Sequence, residues 1–205
     1  YAIYGFVRLA DEIVDTFHDF PKREILEEFK YDTYKALDRG ISINPVLHAF
    51  QMVVNEYNID RALIDKFLES MEKDLNEITY SSLAYDDYIV GSAEVVGLMC
   101  LMVFVNGDKS LYDELKDPAR RLGAAFQKVN FLRDVKADFE DLGRSYFPGV
   151  NLTNFTHIEK LKIEADITED FHFALEGIKK LPSSSKLGVY VCLLYTSDAA
   201  DDIPG

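Results

Sequence analysis

Two stretches of the sequence place pairs of aspartates at a spacing that puts both carboxylates on one face of a helix. In the first stretch Asp11 and Asp15 are four residues apart, and in the second Asp134 and Asp138 repeat that spacing. Like charges at this spacing destabilise an isolated helix by about 0.2–0.5 kcal/mol per pair. A solvated acidic face would be the simplest interpretation of either pair alone, but its repetition favours a bound cation as the reason for both.

Each aspartate pair shares its helix face with amide, aromatic or guanidinium side chains. On a helical projection the first face spans about 60° and the second about 80°. The first face holds Tyr4, Arg8, Asp11 and Asp15, and the second holds Gln127, Asn130, Asp134, Asp138 and Asp141, with Arg133 close by. Mg²⁺ takes carboxylate oxygens as ligands, and Arg offers the forked donors that suit diphosphate oxygens. The two faces together predict a site for Mg²⁺ and diphosphate, with one face opposite the other across a cleft.

Three segments of the sequence resemble the squalene/phytoene synthases, a family of head-to-head prenyl transferases, and most of all its bacterial phytoene synthases. The segments are RLADEIVD at residues 8–15, YIVGSAEVVG at residues 88–97 and QKVNFLRDVKADFEDLGRSYFP at residues 127–148. The third segment is the most specific, because NxxRDVxxD followed by GRxYxP is a long and unusual pattern. The sequence departs from the common family pattern at Glu12, which keeps a carboxylate, and at Glu94, which stands beside the expected prenyl channel.

The resemblance implies an activity, a cofactor and two alternatives. The implied reaction is the Mg²⁺-dependent condensation of two prenyl diphosphates through a cyclopropylcarbinyl diphosphate, with geranylgeranyl diphosphate giving phytoene. One alternative is a C15 condensation to squalene or a dehydrosqualene-type product, and the other is a non-catalytic relative that binds or assembles other proteins. Mg²⁺ is the predicted cofactor, with Mn²⁺ as an alternative, and NADPH is not expected because its use distinguishes the squalene synthases.

The resemblance also implies roles for individual residues. The implied metal ligands are Asp11, Asp15, Asn130, Asp134 and Asp138. The four aspartates are also assigned to catalysis together with Tyr88, which is expected to lie near the reacting carbons. The expected substrate contacts are Tyr4, Arg8, Ala93, Gly97, Gln127, Asn130 and Arg133, joined by Arg144 and Tyr146 in a loop that resembles a lid over the diphosphates.

Helical periodicity dominates the chain and predicts an all-α isoprenoid synthase-type bundle with a central cavity. The first four predicted helices run to about residue 18, over 22–39, over 45–57 and from a cap at Asn58 or Asp60. The next runs over 88–106, and a long helix that ends near 142 follows it, with a break at Pro118 as one alternative. The last two run from 156 or 157 to about 181 and from 186. The apolar run over 95–105 is shorter than the roughly 20 residues needed to span a bilayer, so it predicts a buried core helix. Small residues at Gly91, Ala93 and Gly97 predict a groove that a ligand or a neighbouring helix would fill.

Composition limits the class of protein and its partners. With 205 residues and 48% hydrophobic content, the chain suits one globular domain. A formal net charge of −14 argues against nucleic acid as a partner, because the phosphate backbone attracts Lys and Arg. The cysteines, Cys100 and Cys192, form no disulfide framework, and we expect a cytoplasmic protein, with peripheral membrane association for its apolar product as an alternative. The sequence carries no signal for an oligomeric state.

The ends of the chain differ from the pattern of the family. We expect residues 1–191 to form an isoprenoid synthase domain that lacks part of both ends. We expect residues 192–205 to be a non-native tail, because CLLYTSDAADDIPG loses the helical period midway and ends on small and acidic residues. An acidic disordered tail is the alternative interpretation.

Overall fold

The computed structural model describes residues 1–75, 82–142, 147 and 156–189, and for residues 82–84 and 134–142 it describes the backbone only. Its elements are α1 (Ala2–Asp15), α2 (Lys22–Arg39), α3 (Pro45–Tyr57), α4 (Arg61–Asp74), α5 (Ser82–Ile89), a π-helical segment (Val90–Glu94), α6 (Val95–Phe104), α7 (Lys109–Leu142) and α8 (His157–Ile178). Residues 183–189 are also helical, and the described part of the chain contains no strand. The predicted all-α class is confirmed.

Local capping signals set several of these helix boundaries. The side chain of Asn44 accepts from the Val46 N–H at 2.9 Å, and Pro45 opens α3 where no backbone donor is needed. The side chain of Asp60 accepts from the Ala62 N–H at 3.0 Å, so Asp60 is the cap of α4. The predicted bounds of α3 are confirmed for this reason, and those of α2 are confirmed with Gly40 at its C-terminal end.

Other boundaries differ from the sequence-based expectation. α1 ends at Asp15 because the chain turns at Thr16, before it reaches residue 18. α5 begins by Ser82 rather than at 86–88, since the ring of Tyr85 packs against Phe131 and Phe147 and the α5 backbone is held in place. α6 then ends at Phe104, whereas the sequence predicted a helix to residue 106.

Three further differences lie in the second half of the chain. α7 runs without a break through Pro118, whose ring fits against Gly177 of α8, where a Cβ would lie 2.3 Å from the proline Cβ. This packing offsets the backbone hydrogen bond that proline removes. α8 ends at Ile178 rather than near residue 181, and the helical residues 183–189 begin before Lys186.

The largest core cluster lies among α1, α2, α3, α4 and α6. Phe6 of α1 is completely buried at its centre and stacks on Phe50 with ring centroids 3.9 Å apart. The rings of Phe29 and Phe67 lie 5.4 and 5.5 Å from Phe6. Burying a phenylalanine contributes about 1.5–3 kcal/mol, so this cluster fixes the apolar side of α1 and leaves its other side facing outward.

Small residues let the α5–α6 stretch approach its neighbours closely. A Cβ built on Gly123 of α7 would lie 2.5 Å from the carbonyl oxygen of Ala93, and one built on Gly97 would lie 2.6 Å from a backbone carbonyl oxygen of α7. A Cβ built on Gly91 would lie 2.8 Å from the Cβ of Ser70 on α4. Helices α4 and α7 therefore occupy the groove that the sequence predicted beside these small residues.

One stretch in the described residues, Tyr85–Phe104, is long and apolar enough to cross a membrane by length and composition alone. The core helix of a soluble protein meets the same criterion. In this fold the stretch packs against α4 on one side and α7 on the other. That packing agrees with the core helix predicted from the apolar run.

Candidate active site

The outward face of α1 carries the first predicted group of site residues. Its buried residues are Ile3, Phe6, Ala10, Ile13 and Val14, which turn toward the aromatic core. On the other side Tyr4, Arg8 and Asp15 are exposed and Asp11 is half-buried. The helix and its polar face are therefore arranged as the spacing predicted.

Arg8 pairs with two carboxylates on this face. Its Nη1 donates to Asp11 Oδ2 at 2.8 Å, and its Nη2 donates to Glu12 Oε1. Glu12 also accepts from Thr16 Oγ1 at 2.6 Å. A single guanidinium thus serves Asp11 and Glu12 together.

Burial and the neighbouring charges together raise the pKa of Asp11. Burial raises the pKa of the Asp11 carboxyl above its usual range, and the neighbouring Asp15 carboxylate raises the pKa further. The Arg8 guanidinium opposes this rise without cancelling it. The ionised Asp11 carboxylate is therefore incompletely compensated by the protein, so it would gain from a bound cation.

Tyr88 is buried between α4 and α7. Its hydroxyl donates to Oδ2 of Asp74 at 2.9 Å, and its ring centroid lies 5.8 Å from that of Phe131 on α7. The sequence pattern predicted no role for Asp74. Its position on the helix could have indicated one, because Asp74 lies on the buried face of α4 with Phe67 and Met71.

The other predicted substrate contacts that the structure describes lie along two helices. Ala93 and Gly97 lie where α7 packs closely, and Glu94 pairs with Arg120 of α7 at 2.6 Å. These contacts explain the small residues by helix packing, and substrate contact at Ala93 and Gly97 stays a prediction. On α7, Asn130 and Arg133 are exposed and Gln127 is half-buried, and their binding roles also stay predictions.

The aspartates of the second face lie outside the described side chains. The backbone of α7 is helical through residues 134, 138 and 141, but their side chains are not described. Arg144 and Tyr146 lie outside the described residues altogether. Among the side chains that are described, no group of three or more His, Cys, Asp or Glu could hold a metal ion. The predicted opposition of the two aspartate faces therefore stays a prediction.

A buried ion-pair network links the described part of α7 to α8. Asp170 of α8 accepts from Lys128 Nζ at 2.7 Å and from Arg121 Nη1. Lys128 also donates to Asp166, which is exposed. Burial lowers the pKa of Lys128, but the two carboxylates outweigh that effect and hold its pKa above the usual value. The network fixes α8 against the turn of α7 that precedes Asn130.

A shallow cleft of about 230 Å³ between α1, α2 and α3 is distinct from this site. Leu9 and Ile13 line it from the side of α1 opposite Asp11, and Phe17 lines it just after the end of that helix. The cleft therefore does not contain the predicted metal ligands.

The fold and the sequence each have relatives among known proteins. The fold matches a dehydrosqualene synthase structure with a TM-score of 0.76 at 22% identity, over 89% of this chain and 68% of that one. It also matches a squalene synthase structure from Alicyclobacillus acidocaldarius with a TM-score of 0.71 at 19% identity, over 98% and 82%. The class defined by this fold is the all-α isoprenoid synthase class. The family model for squalene/phytoene synthase matches residues 1–180, and the chain belongs to that family.

Curated relatives include synthases of two products. The chain is 35% identical to a 15-cis-phytoene synthase from Pantoea ananas over 173 residues, which cover 75% of this chain and 53% of the relative. It is 26% identical to a 4,4'-diapophytoene synthase from Staphylococcus haemolyticus over 176 residues, or 83% and 59%. The chain thus spans about half the length of the curated relatives that it matches.

Proposed function

We propose that this protein condenses two prenyl diphosphates head to head, with geranylgeranyl diphosphate as substrate and phytoene as product. Membership of the squalene/phytoene synthase family supports the reaction, and the phytoene synthases among its relatives support the product. The observation in the structure that carries the proposal is the outward face of α1. Asp11 and Glu12 share the guanidinium of Arg8 there, and the pKa of Asp11 is raised by burial and by Asp15 despite that pairing.

The residues on α1 fit a divalent cation by the chemistry of their donors. Carboxylate oxygens are hard ligands of the kind that Mg²⁺ takes, usually with water and substrate phosphates completing its shell. Asp11 and Asp15 would hold Mg²⁺ from α1, with Mn²⁺ as an alternative, and Asn130, Asp134 and Asp138 would hold it from α7. Bound Mg²⁺ would neutralise diphosphate charge and act as a Lewis acid on the leaving group.

The protein's own cations would bind the diphosphate directly. Arg8 is exposed on α1, where it also pairs with Asp11 and Glu12, and Arg133 is exposed on α7. A guanidinium presents parallel donors that match two phosphate oxygens. We assign the same role to Arg144 from its sequence motif, and we place Tyr4 and Gln127 at the edges of the two polar faces.

An apolar cluster beside Tyr88 would shield the reacting carbons from water. It consists of Tyr88, Ile89, Ala124, Phe131, Leu132, Phe147 and Ile167. Phe147, which follows Tyr146 in the predicted lid, is buried with its ring centroid 6.0 Å from that of Tyr85. Phe147 therefore belongs to the same apolar cluster as Tyr88, where exclusion of water would protect an allylic cation from capture.

A shorter substrate is the second candidate. The match to a 4,4'-diapophytoene synthase covers more of this chain than the match to the phytoene synthase of Pantoea ananas does. A C15 condensation to a squalene or dehydrosqualene-type product is therefore included in the same test. We also propose a cytoplasmic location, with peripheral membrane association to release the apolar product.

Product analysis separates these functions. The protein is incubated with C15 or C20 prenyl diphosphate and Mg²⁺, and the extracted hydrocarbons are identified by mass spectrometry, with an EDTA-treated reaction as the control. We expect phytoene from the C20 substrate and none after chelation. A C15-derived product alone would establish the second candidate. Substrate binding without any condensed product would favour a non-catalytic family member.

A further inference from the structure

A buried carboxylate outside the two aspartate faces contacts the tyrosine that the proposed function places near the reacting carbons. The Tyr88 hydroxyl donates to Oδ2 of Asp74 at 2.9 Å, and the two residues are 8% and 6% exposed. A buried carboxylate is costly unless hydrogen bonds satisfy it. The pair is therefore a built feature of the interior and not a transient surface contact.

The surrounding backbone fixes this pair in position. The Ser92 hydroxyl donates to the carbonyl of Tyr88 at 2.8 Å, at the start of the π-helical segment. Gly91 allows that segment to lie directly against Ser70 of α4. Asp87, which precedes the tyrosine, accepts from two lysines of α4. Contacts to α4 therefore lie on both sides of Tyr88 in the sequence, at Asp87 and at Gly91. The fold thus sets the distance from Tyr88 to Asp74.

The pair lies beside the segment of α7 that carries the second aspartate face. The Tyr88 ring contacts Phe131, which precedes Asp134 by three residues, so both belong to one turn of α7. A hydroxyl has one proton and two lone pairs. When its proton is donated to Asp74, only lone pairs remain for its other neighbours.

We propose that Asp74 is a positioning residue that holds the proton of Tyr88 and turns the phenolic lone pairs toward the prenyl chains. The oxygen then stabilises the positive charge that develops when an allylic diphosphate ionises. The inference rests on the proposed function, because only that reaction generates the charge. A carboxylate acceptor gives a stronger hydrogen bond than a neutral one, and fixed dipoles aimed at developing charge act without reorganisation.

The test is a double-mutant cycle in the active protein. Asp74→Asn removes the charge and brings an NH₂ that can donate to the phenol, so we expect kcat to fall about 10- to 100-fold while KM changes by less than about two-fold. In the Tyr88→Phe background the same substitution should have no further effect on kcat. An equal loss of kcat in both backgrounds, or a change in KM alone, would overturn the inference.

A second hydroxyl–carboxylate pair on α4 gives a matched control. The Tyr34 hydroxyl of α2 donates to Asp65 of α4 on the outside of the fold. Asp65→Asn and Tyr34→Phe should each leave kcat within about two-fold of wild type. If Asp74→Asn does not fold, Asp74→Glu replaces it in the cycle, with a smaller loss expected that again disappears in the Tyr88→Phe background.

A readout without turnover separates this inference from the proposed function. The ¹³Cζ resonance of Tyr88, assigned by its loss in Tyr88→Phe, should shift in Asp74→Asn and stay unchanged in Asp65→Asn. An unshifted resonance would overturn the pairing. Wild-type protein that yields no product would reject the proposed function itself, whereas active wild type with an unaffected Asp74→Asn variant would reject only the positioning role.

Discussion

Asp11 and Asp170 are both aspartates on helices, yet their charges are balanced to different degrees. Asp170 on α8 is 1% exposed and accepts from two cations of α7, Arg121 and, at 2.7 Å, Lys128. Asp11 on α1 is 39% exposed and shares its one cation, Arg8, with a neighbouring carboxylate. At the α7–α8 interface two cations serve two carboxylates, Asp170 and Asp166, and on α1 one cation serves two.

The difference separates a structural carboxylate from one that is available to a ligand. The cations around Asp170 come from the facing helix, so the charge is used within the fold. On α1 burial, together with the neighbouring Asp15 carboxylate, raises the pKa of Asp11, and Arg8 does not cancel that rise. Active sites commonly retain such unfavourable arrangements because the function requires them.

The largest expected effect is on turnover. Asp11→Asn removes one charge and little volume, and should lower kcat about 10²–10³-fold, since metal-assisted charge stabilisation is worth several kcal/mol. Asp38→Asn is the control, because Asp38 is an exposed partner of Arg61 on α4. Steady-state kinetics at saturating Mg²⁺ provide the measurement. A loss below ten-fold would mean that Asp11 is no ligand.

The next effect is on stability at the α7–α8 interface. Asp170→Asn leaves Lys128, which is 12% exposed, with only the surface partner Asp166, and should cost about 2–4 kcal/mol in the free energy of unfolding. Asp166→Asn should cost less than about 1 kcal/mol, because that carboxylate is 57% exposed. Urea unfolding of both variants compares them. Similar losses would contradict the structural role assigned to Asp170.

A third, smaller effect tests the packed side of α7. Gly123→Ala places a methyl group 2.5 Å from the Ala93 carbonyl oxygen and should cost about 1–3 kcal/mol, because two backbones must separate. Gly188→Ala is the matched control, since nothing lies within 4 Å of its Cβ position and alanine favours a helix. Thermal unfolding should show a lower Tm for the first and an equal or higher Tm for the second. A tolerated Gly123→Ala would show that α7 lies further from Ala93.

The smallest effect is the stability gained by removing the charge of Asp11. Because its pKa is raised on folding, the folded state binds a proton more tightly than the unfolded state, and the ionised carboxylate reduces stability at neutral pH. Asp11→Asn should therefore stabilise the protein at pH 7, by up to about 0.5 kcal/mol given solvent screening at this exposed site. The gain should shrink as pH falls through the folded pKa of Asp11 and vanish below about pH 3.9, the unfolded value. A pH series of urea unfolding curves measures it, and a gain that grows toward acid would contradict the sign.

The sequence predicted those features that depend on neighbouring residues. Gly40 ends α2 with a φ of 68°, and Asn44 caps α3, so local chemistry alone gave these boundaries. The polar face of α1 followed from the helical period. Asp74 was not predicted as the partner of Tyr88, because the two residues meet only when α4 packs against α5.

Two other features were missed for the same reason. Lys128 meets Asp170 across 42 positions of sequence, a contact that no short-range pattern encodes. The helical path through Pro118 depends on the space that Gly177 leaves on α8. Predicting either feature requires knowing which helices become neighbours. The sequence pattern predicts only which helix faces are apolar.

The most direct test of the metal site compares Asp134→Asn with Glu12→Gln across a Mg²⁺ titration. Glu12 is already engaged by Arg8 and Thr16, so its loss should have a modest effect on turnover, whereas Asp134→Asn should cost orders of magnitude and activity should require Mg²⁺ throughout. Equal losses in the two variants, or turnover indifferent to Mg²⁺, would contradict the assignment of the two aspartate faces to one metal-dependent site.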